Sequence, residues 1–435
     1  MISPKTSPMS DSPGMFPFGD SGNRTWTSHQ VPRRVKLLAF GVPLYLVLIH
    51  LWTWSLTAPL ALAGRADFRQ FYVAGAIVRS GHSHQLYEYA IQKHFQDNLV
   101  SSEPTALPFV SPAYHALIFL PFSVIPYRAA YLVFLPCNIA ALTVCFILLW
   151  PWMQNLRCVY PWLPLAIFLG FLPLAYALIQ GQDSVLLTTL LAAAFVLLVR
   201  ARNFYAGVLA GLGLFKFPIV LPIAILFLIW RRWTFFFGFA VSASTLTAFS
   251  VALTGLTQAK LYVASLLSIA GLRSPVSDLS RYPITLKQMA NAHGFVFGIV
   301  SGWMPKPWLQ AVTILLSIAV LVWTARKGWN VTESSALLLL AIPCSILVGH
   351  HTYIHDLSVL LLPLVVLLNS FLPGEGRDFK NARFINRAAA LMFVVPLVES
   401  FSPDRFSFVA IPVLLLLVAL AAALDSHSAA KAEAF

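Results

Sequence analysis

Apolar stretches recur along the chain at 36–57, 128–150, 159–178, 184–200, 204–215, 218–230, 234–254, 308–325, 335–349, 356–372, 387–400 and 405–424, separated by short polar connections. Most of them approach the roughly 20 residues that cross a hydrocarbon core about 30 Å thick. A backbone in lipid must satisfy its own hydrogen bonds, so such stretches fold as helices. The pattern therefore predicts an all-α, polytopic transmembrane helical bundle of about 12 membrane segments over residues 36–424. Residues 1–35 are rich in Ser, Pro and Gly and lack the apolar core of a secretory signal, which predicts a disordered cytoplasmic tail. Residues 425–435 read as a short cytoplasmic tail.

Charge assigns the sides. Lys and Arg in short loops resist translocation, and one set of connections carries Arg33, Arg34 and Lys36, then Arg157, Arg200 with Arg202, Arg231 with Arg232, Arg326 with Lys327, and the group Arg377, Lys380, Arg383 and Arg387. The alternate connections at 179–183, 349–355 and 401–404 hold neither Lys nor Arg. The first set is expected in the cytoplasm and the second outside. The segment 204–230 has a basic pair at each end and Lys216, Pro218 and Pro222 in its middle. Proline supplies no helix donor and disfavours helix at the residue before it. A broken hairpin, with Lys216 at its outer tip, keeps both basic pairs on one side.

Composition agrees with a membrane protein. Hydrophobic residues make up 58% and charged residues 10%, against about 25% charged in soluble domains. The net charge of +13 lies in short clusters between apolar runs and forms no basic face, so no nucleic-acid partner is expected. The four cysteines show no metal-ligand spacing and read as small core residues.

Two outward connections are long, 58–127 and 255–307. The first contains Asp67–Gly81, where Phe68, Phe71, Tyr72, Gly75 and Ile77 approximate a helical face, which predicts a helix lying in the membrane interface. The outward polar inventory is Asp67, Gln180, Gln182, Asp183, Lys216, Arg273, Lys287, His350, His351, His355 and Asp356, drawn from distant loops. No P-loop, dinucleotide fingerprint, zinc-protease motif or nucleophile elbow occurs, which removes nucleotide-driven transport and common hydrolase chemistry.

Each candidate has a chemical and a plain reading. Asp67, in DFRQFY, is suited to act as a general base on an alcohol, or is a solvated loop acid or helix N-cap. Lys216, in GLGLFKFPIVLPI, carries an ammonium into an apolar stretch at a cost of roughly 2.5–3.5 kcal/mol; it binds an anion such as phosphate or snorkels to the interface. In GHHTYIHDLSVLLLP, His351 and His355 share a helix face if helix begins early enough, and the run fits phosphate or sugar contact, a metal, or interfacial polarity. No partnering carboxylate motif accompanies them, and no metal is expected. In GQDS, Asp183 reads as a helix N-cap, and Gln180 and Gln182 as partners for sugar hydroxyls.

Taken in order, DFRQFYVAGAIVRSGHSHQLYEY, FVSPAYHALIFLPFSVIPYRAAYLVFLPCNIAAL, GQDSVLLTTLLAAAFVLLVRAR, AGVLAGLGLFKFPIVLPIAILFLIWRRW and HHTYIHDLSVLLLPLVVLL resemble glycosyltransferase family 87 of the GT-C superfamily over residues 36–370. The resemblance implies an inverting mannosyltransferase that uses a polyprenyl-phosphate-sugar donor and a lipid-linked or glycan acceptor. It places the active site on the periplasmic face of a bacterial inner membrane and implies no cofactor. It also implies interfacial helices in the first long loop, Asp67 as general base, and Lys216, His351, His355 and Arg273 at the donor phosphate. Gln180, Gln182, Tyr72 and His350 are expected to contact substrate. HHTYIHD is richer in histidine than the family's Tyr-Asp pattern, so which histidine touches ligand stays open. A lipid-linked-glycan flippase is the alternative, although no repeat relates the two halves as transporters favour. A polysaccharide polymerase or ligase is the other, sustained by Arg273 and Arg281.

Overall fold

A computed structural model describes residues 31–269, 286–371, 381–402 and 407–433. The expected tail before residue 31 lies outside the described residues, as do Arg273, Arg281, Arg377 and Lys380. The helices in chain order are α1 (Arg33–Leu60), α2 (Phe68–Arg79), α3 (Tyr89–Leu99), α4 (Ala116–Phe119), α5 (Tyr127–Leu149), α6 (Gln154–Val159) and α7 (Leu163–Leu169). They continue with α8 (Leu172–Ile179), α9 (Ser184–Val199), α10 (Asn203–Leu212), α11 (Phe217–Ile229), α12 (Trp233–Thr254) and α13 (Leu256–Ile269). The last six are α14 (Ala292–Val300), α15 (Lys306–Gly328), α16 (Ser334–Val348), α17 (Leu361–Phe371), α18 (Ala382–Ser400) and α19 (Ala410–Glu433). The described residues contain no strand, only an antiparallel bridge between Met289 and Tyr353. The chain is an all-helical integral membrane protein.

Among the described residues every expected segment coincides with helix, and seven helical spans are long and apolar enough to cross a membrane, with two shorter apolar helices, Ser184–Val199 and Ser334–Val348. Of the dozen or so expected segments, several are thus shorter than a full crossing by length alone. One reason is local breaks. The stretch 159–178 divides into α7 and α8 where Phe171 turns extended and Pro173 opens the next helix without a donor. At its start, α1 takes up Arg33 and Arg34 from the expected tail, and at the other end α19 carries helix on through Glu433.

Helices α9, α16 and α17 occupy the centre. All but two residues of α16 are buried, so it is apolar all round, as a helix enclosed by others must be. Around them α1, α12 and α15 present Leu37, Trp52, Phe237, Val241, Leu315 and Ile318 outward, where only lipid accommodates such surface.

The broken hairpin is present. Asn203–Ile229 is helical and apolar enough to cross once, yet both of its ends meet Phe235. A side chain on Gly207 would collide with the Phe235 carbonyl, and the ring of Phe227 stacks on that of Phe235 at 3.9 Å. A straight helix would hold those two positions about 30 Å apart, so α10 and α11 double back at the 3-10 turn Gly213–Lys216. Gly207, Gly211 and Gly238 let α10 lie against α12 with backbones in contact, the small-residue packing that membrane helices use. At the open end of the hairpin, Trp230 Nε1 donates to the Ala325 carbonyl and Arg232 to those of Val331 and Thr332. The basic connections at 200–202, 231–232 and 326–327 thus meet at the open end of the hairpin.

Helix α2 forms as expected but does not lie free in the interface. Phe68, Arg69, Phe71, Tyr72 and Ile77 are all buried, because α4 packs on the apolar face, where Phe119 stacks on Phe71 at 4.9 Å, while α3 and the loop after it cover Arg69. Gly75 brings α2 against the Phe119 backbone, where an added Cβ would come within 2.6 Å. The Arg69 guanidinium donates to Ser101 Oγ at 3.0 Å and to the Ser101 carbonyl at 2.6 Å, and so ties down the loop after α3.

Candidate active site

Two backbone devices bring the polar residues together. The chain leaves α1 through Ala61–Arg65, turning at Gly64 with φ 89, and enters α2 with Asp67 at the N-cap position. There the Asp67 amide donates to Gln180 Oε1 at 3.0 Å and the Phe68 amide to the Gln180 carbonyl at 2.9 Å. The second device ends α8. Gly181 is left-handed at φ 59, its amide bonds the Leu178 carbonyl and the Gln182 amide bonds that of Ala177, a Schellman closure. A Cβ on Gly181 would lie 2.7 Å from Phe68 Cβ, so glycine permits both the turn and the approach of α2.

Lys216 is the hub. Its Nζ lies 2.9 Å from Asp356 Oδ1, 3.2 Å from Asp183 Oδ1 and 3.0 Å from Gln182 Oε1. An ammonium has three protons, and three acceptors surround this one. Gln182 Nε2 in turn donates to Asp67 Oδ2 at 2.7 Å. Asp183 Oδ2 lies 2.8 Å from Nε2 of His115, a fully buried imidazole stacked on Phe215 at 4.9 Å. Asp356 also accepts from Ser184 Oγ at 2.9 Å and from the Tyr353 amide at 3.0 Å. His355 closes the group, with Nδ1 3.9 Å from Asp67 Oδ2 and Nε2 3.5 Å from Asp356 Oδ1.

Burial divides the three carboxylates. The side chains of Asp183 and Asp356 are 3% and 5% exposed and that of Asp67 is 30% exposed. Two carboxylates are therefore sealed against one ammonium, an arrangement that survives desolvation only because each oxygen is contacted. The third faces open space with its outer edge.

The histidine loop stands beside this cluster. His351 packs edge-on to Tyr353 at 4.8 Å, Tyr353 lies 5.9 Å from His355, and His350 lies 4.5 Å from His293. Asn291 Nδ2 donates to the Gly349 carbonyl at 2.6 Å and the Ala290 amide to the Thr352 carbonyl at 2.9 Å, fixing the loop to the start of α14. Desolvation lowers both His293 and His351 to about 4, with His350 adding to the effect on His293. Both imidazoles are neutral near pH 7. Among the described residues no three His, Cys, Asp or Glu side chains are grouped to hold a metal ion.

Several expectations change. Asp183 occupies the N-cap position of α9 but makes no side-chain cap; its carboxylate turns to Lys216 and His115 instead. Asp67 likewise caps nothing through its side chain. His351 precedes the 3-10 turn that begins at Ile354, so it shares no helix face with His355; the Tyr353 ring lies between them. Tyr72 is 3% exposed and its hydroxyl donates to the Ile125 carbonyl, which places it in the aromatic core around α2. Gln180 and Gln182 spend their side chains on the protein. Lys216 stands at the hairpin tip, but its three protons face protein acceptors, leaving none for a phosphate in this arrangement. Arg273 lies outside the described residues. His115 joins the site as well, and its signal in the sequence is an ionisable residue inside the apolar run AYHALIFLPF.

The family model of glycosyltransferase family 87 matches residues 109–349, over half of the chain. The matched stretch contains His115, Gln182, Asp183 and Lys216, while Asp67 precedes it and the histidine loop follows its end. No curated protein and no solved structure matches the chain.

Proposed function

The chain belongs to glycosyltransferase family 87, and from that premise we propose that this membrane glycosyltransferase is an inverting hexosyltransferase with Asp67 as its general base. The observation that carries the reading is the exposure of the carboxylates: of the three in the cluster, Asp67 alone opens to a substrate. The donor is a polyprenyl-phosphate sugar, mannose by family resemblance, whose lipid holds the anomeric carbon at the membrane. The acceptor is a lipid-linked or glycan hydroxyl. The enzyme lies in a bacterial inner membrane with this site toward the periplasm, a side chosen because the opposite end of the bundle gathers the basic connections.

In the reaction, Asp67 takes the proton of the acceptor hydroxyl as its oxygen bonds the anomeric carbon. The bond to the phosphate oxygen breaks on the opposite face, and its electron pair leaves with the polyprenyl phosphate. One displacement inverts the anomeric centre. His351 and His355, from the loop beside the cluster, are the residues assigned to that phosphate. His351 Nδ1 is buried without a hydrogen-bond partner among the described residues, and a neutral imidazole serves there as an N–H donor in a site of low dielectric. The proposed displacement calls on no cofactor.

Asp67→Asn keeps the shape of the side chain and removes the base. Transfer from polyprenyl-phosphate mannose, measured in native membranes that supply the acceptor, is expected to fall by about 10²–10⁴-fold with the protein still inserted. Wild-type transfer by that variant overturns the assignment.

A further inference from the structure

We infer that Gln182 is the positioning residue of the base: it orients the Asp67 carboxylate, and Lys216 in turn fixes the direction of the Gln182 amide. This rests on the reading of Asp67 as base.

The chemistry of the donors and acceptors sets the direction without reference to hydrogen positions. An ammonium only donates, so the end of the Gln182 amide 3.0 Å from Lys216 Nζ is the carbonyl oxygen. The amino end then points at Asp67 Oδ2, 2.7 Å away, and an ionised carboxylate only accepts. A flipped amide would set its NH2 against the ammonium and its oxygen against the carboxylate. The backbone is equally fixed: the Gln182 amide bonds the Ala177 carbonyl, and the Gln182 carbonyl accepts from Asn138 Nδ2 at 3.0 Å. Gln182 is 3% exposed and has no room to swing outward.

Asp67 is thereby held at both ends, its amide by Gln180 and its Oδ2 by Gln182. The oxygen left to take the acceptor proton is Oδ1, for which the described residues offer no partner. A hydrogen bond donated to a carboxylate favours its ionised form, and loss of the donor disfavours that form. Lys216 acts on the reaction through Gln182 and touches no substrate.

The test uses the full-length protein in native membranes with polyprenyl-phosphate mannose as the donor. Gln182→Met keeps length and packing but removes the amide. Turnover is expected to fall by about tenfold, with the acid limb of the rate-against-pH profile moving upward by about one pH unit and the KM for donor unchanged. A structural defect alone would lower the active fraction and leave the limb where it was. Gln182→Glu keeps an acceptor for Lys216 and sets a second carboxylate against Asp67, so it carries the test if the Met variant does not fold; its limb moves upward as well. Wild-type pH profiles in the folded variants overturn the inference. Activity in Asp67→Asn sinks the base itself, whereas a dead Asp67→Asn beside unshifted Gln182 variants sinks only the role of Gln182.

Discussion

Lys216 sits 2.9 Å and 3.2 Å from two sealed carboxylates, and its removal leaves both without a counter-charge. Breaking a buried ion pair from one side costs about 3–5 kcal/mol, because the remaining charge is uncompensated. Lys216→Met is therefore expected to deplete the folded protein, read as a fall in the thermal midpoint in detergent. Adding Asp356→Asn removes one of the orphaned charges, so the double variant is expected to be more stable than Lys216→Met alone, a non-additivity that contact partners show. A double variant no better than the single one would mean that the ammonium does not balance Asp356. At this scale the sequence was partly readable. It marked Lys216 as an intramembrane charge with a purpose, but attached that purpose to a ligand, because its partners Asp183 and Asp356 come from separate connections. His115 and the relay through Gln182 were hidden for the same reason: single residues announce their chemistry, but a pair across the fold does not.

At the scale of elements, the hairpin was the most legible feature. Two basic pairs with Lys216 and Pro218 between them admit few paths through a membrane, and the meeting of Gly207 and Phe227 at Phe235 agrees with the one that doubles back. The prediction is one of sidedness. In a cysteine-free background, Arg202→Cys and Thr234→Cys are expected to react with an impermeant thiol reagent from the same face of sealed vesicles, and Ser301→Cys from the other. Labelling of positions 202 and 234 from opposite faces would replace the hairpin by a single crossing. Helix α2 was legible as a helix but not in its surroundings. Amphipathic periodicity reports which face is apolar; it does not reveal that α3 and the loop after it will cover Arg69 and draw it inside.

The whole molecule carries the histidine loop between α14 and the charge cluster, and there the stability of the fold meets pH. His293 and His351 ordinarily titrate near 6.5 and are held near 4 by desolvation. The unfolded chain therefore takes up protons first as pH falls. Their contribution is fully present above about 6.5 and drains away toward 4. The thermal midpoint in detergent is expected to drop steeply over that window, and His293→Gln to flatten the slope. Equal slopes in the two proteins would remove His293 from the account.

The hairpin also governs how the chain comes into being. Its tip is made when His115 and Asp183 already exist and Asp356 does not, so the lysine enters the bilayer with one carboxylate waiting and no surplus charge. Asp356 follows much later, and His355 arrives immediately before it. The lysine thus finds a carboxylate already in place and Asp356 finds the lysine, so neither of these two arrivals lacks a counter-charge in lipid while the rest of the polypeptide is still being synthesised.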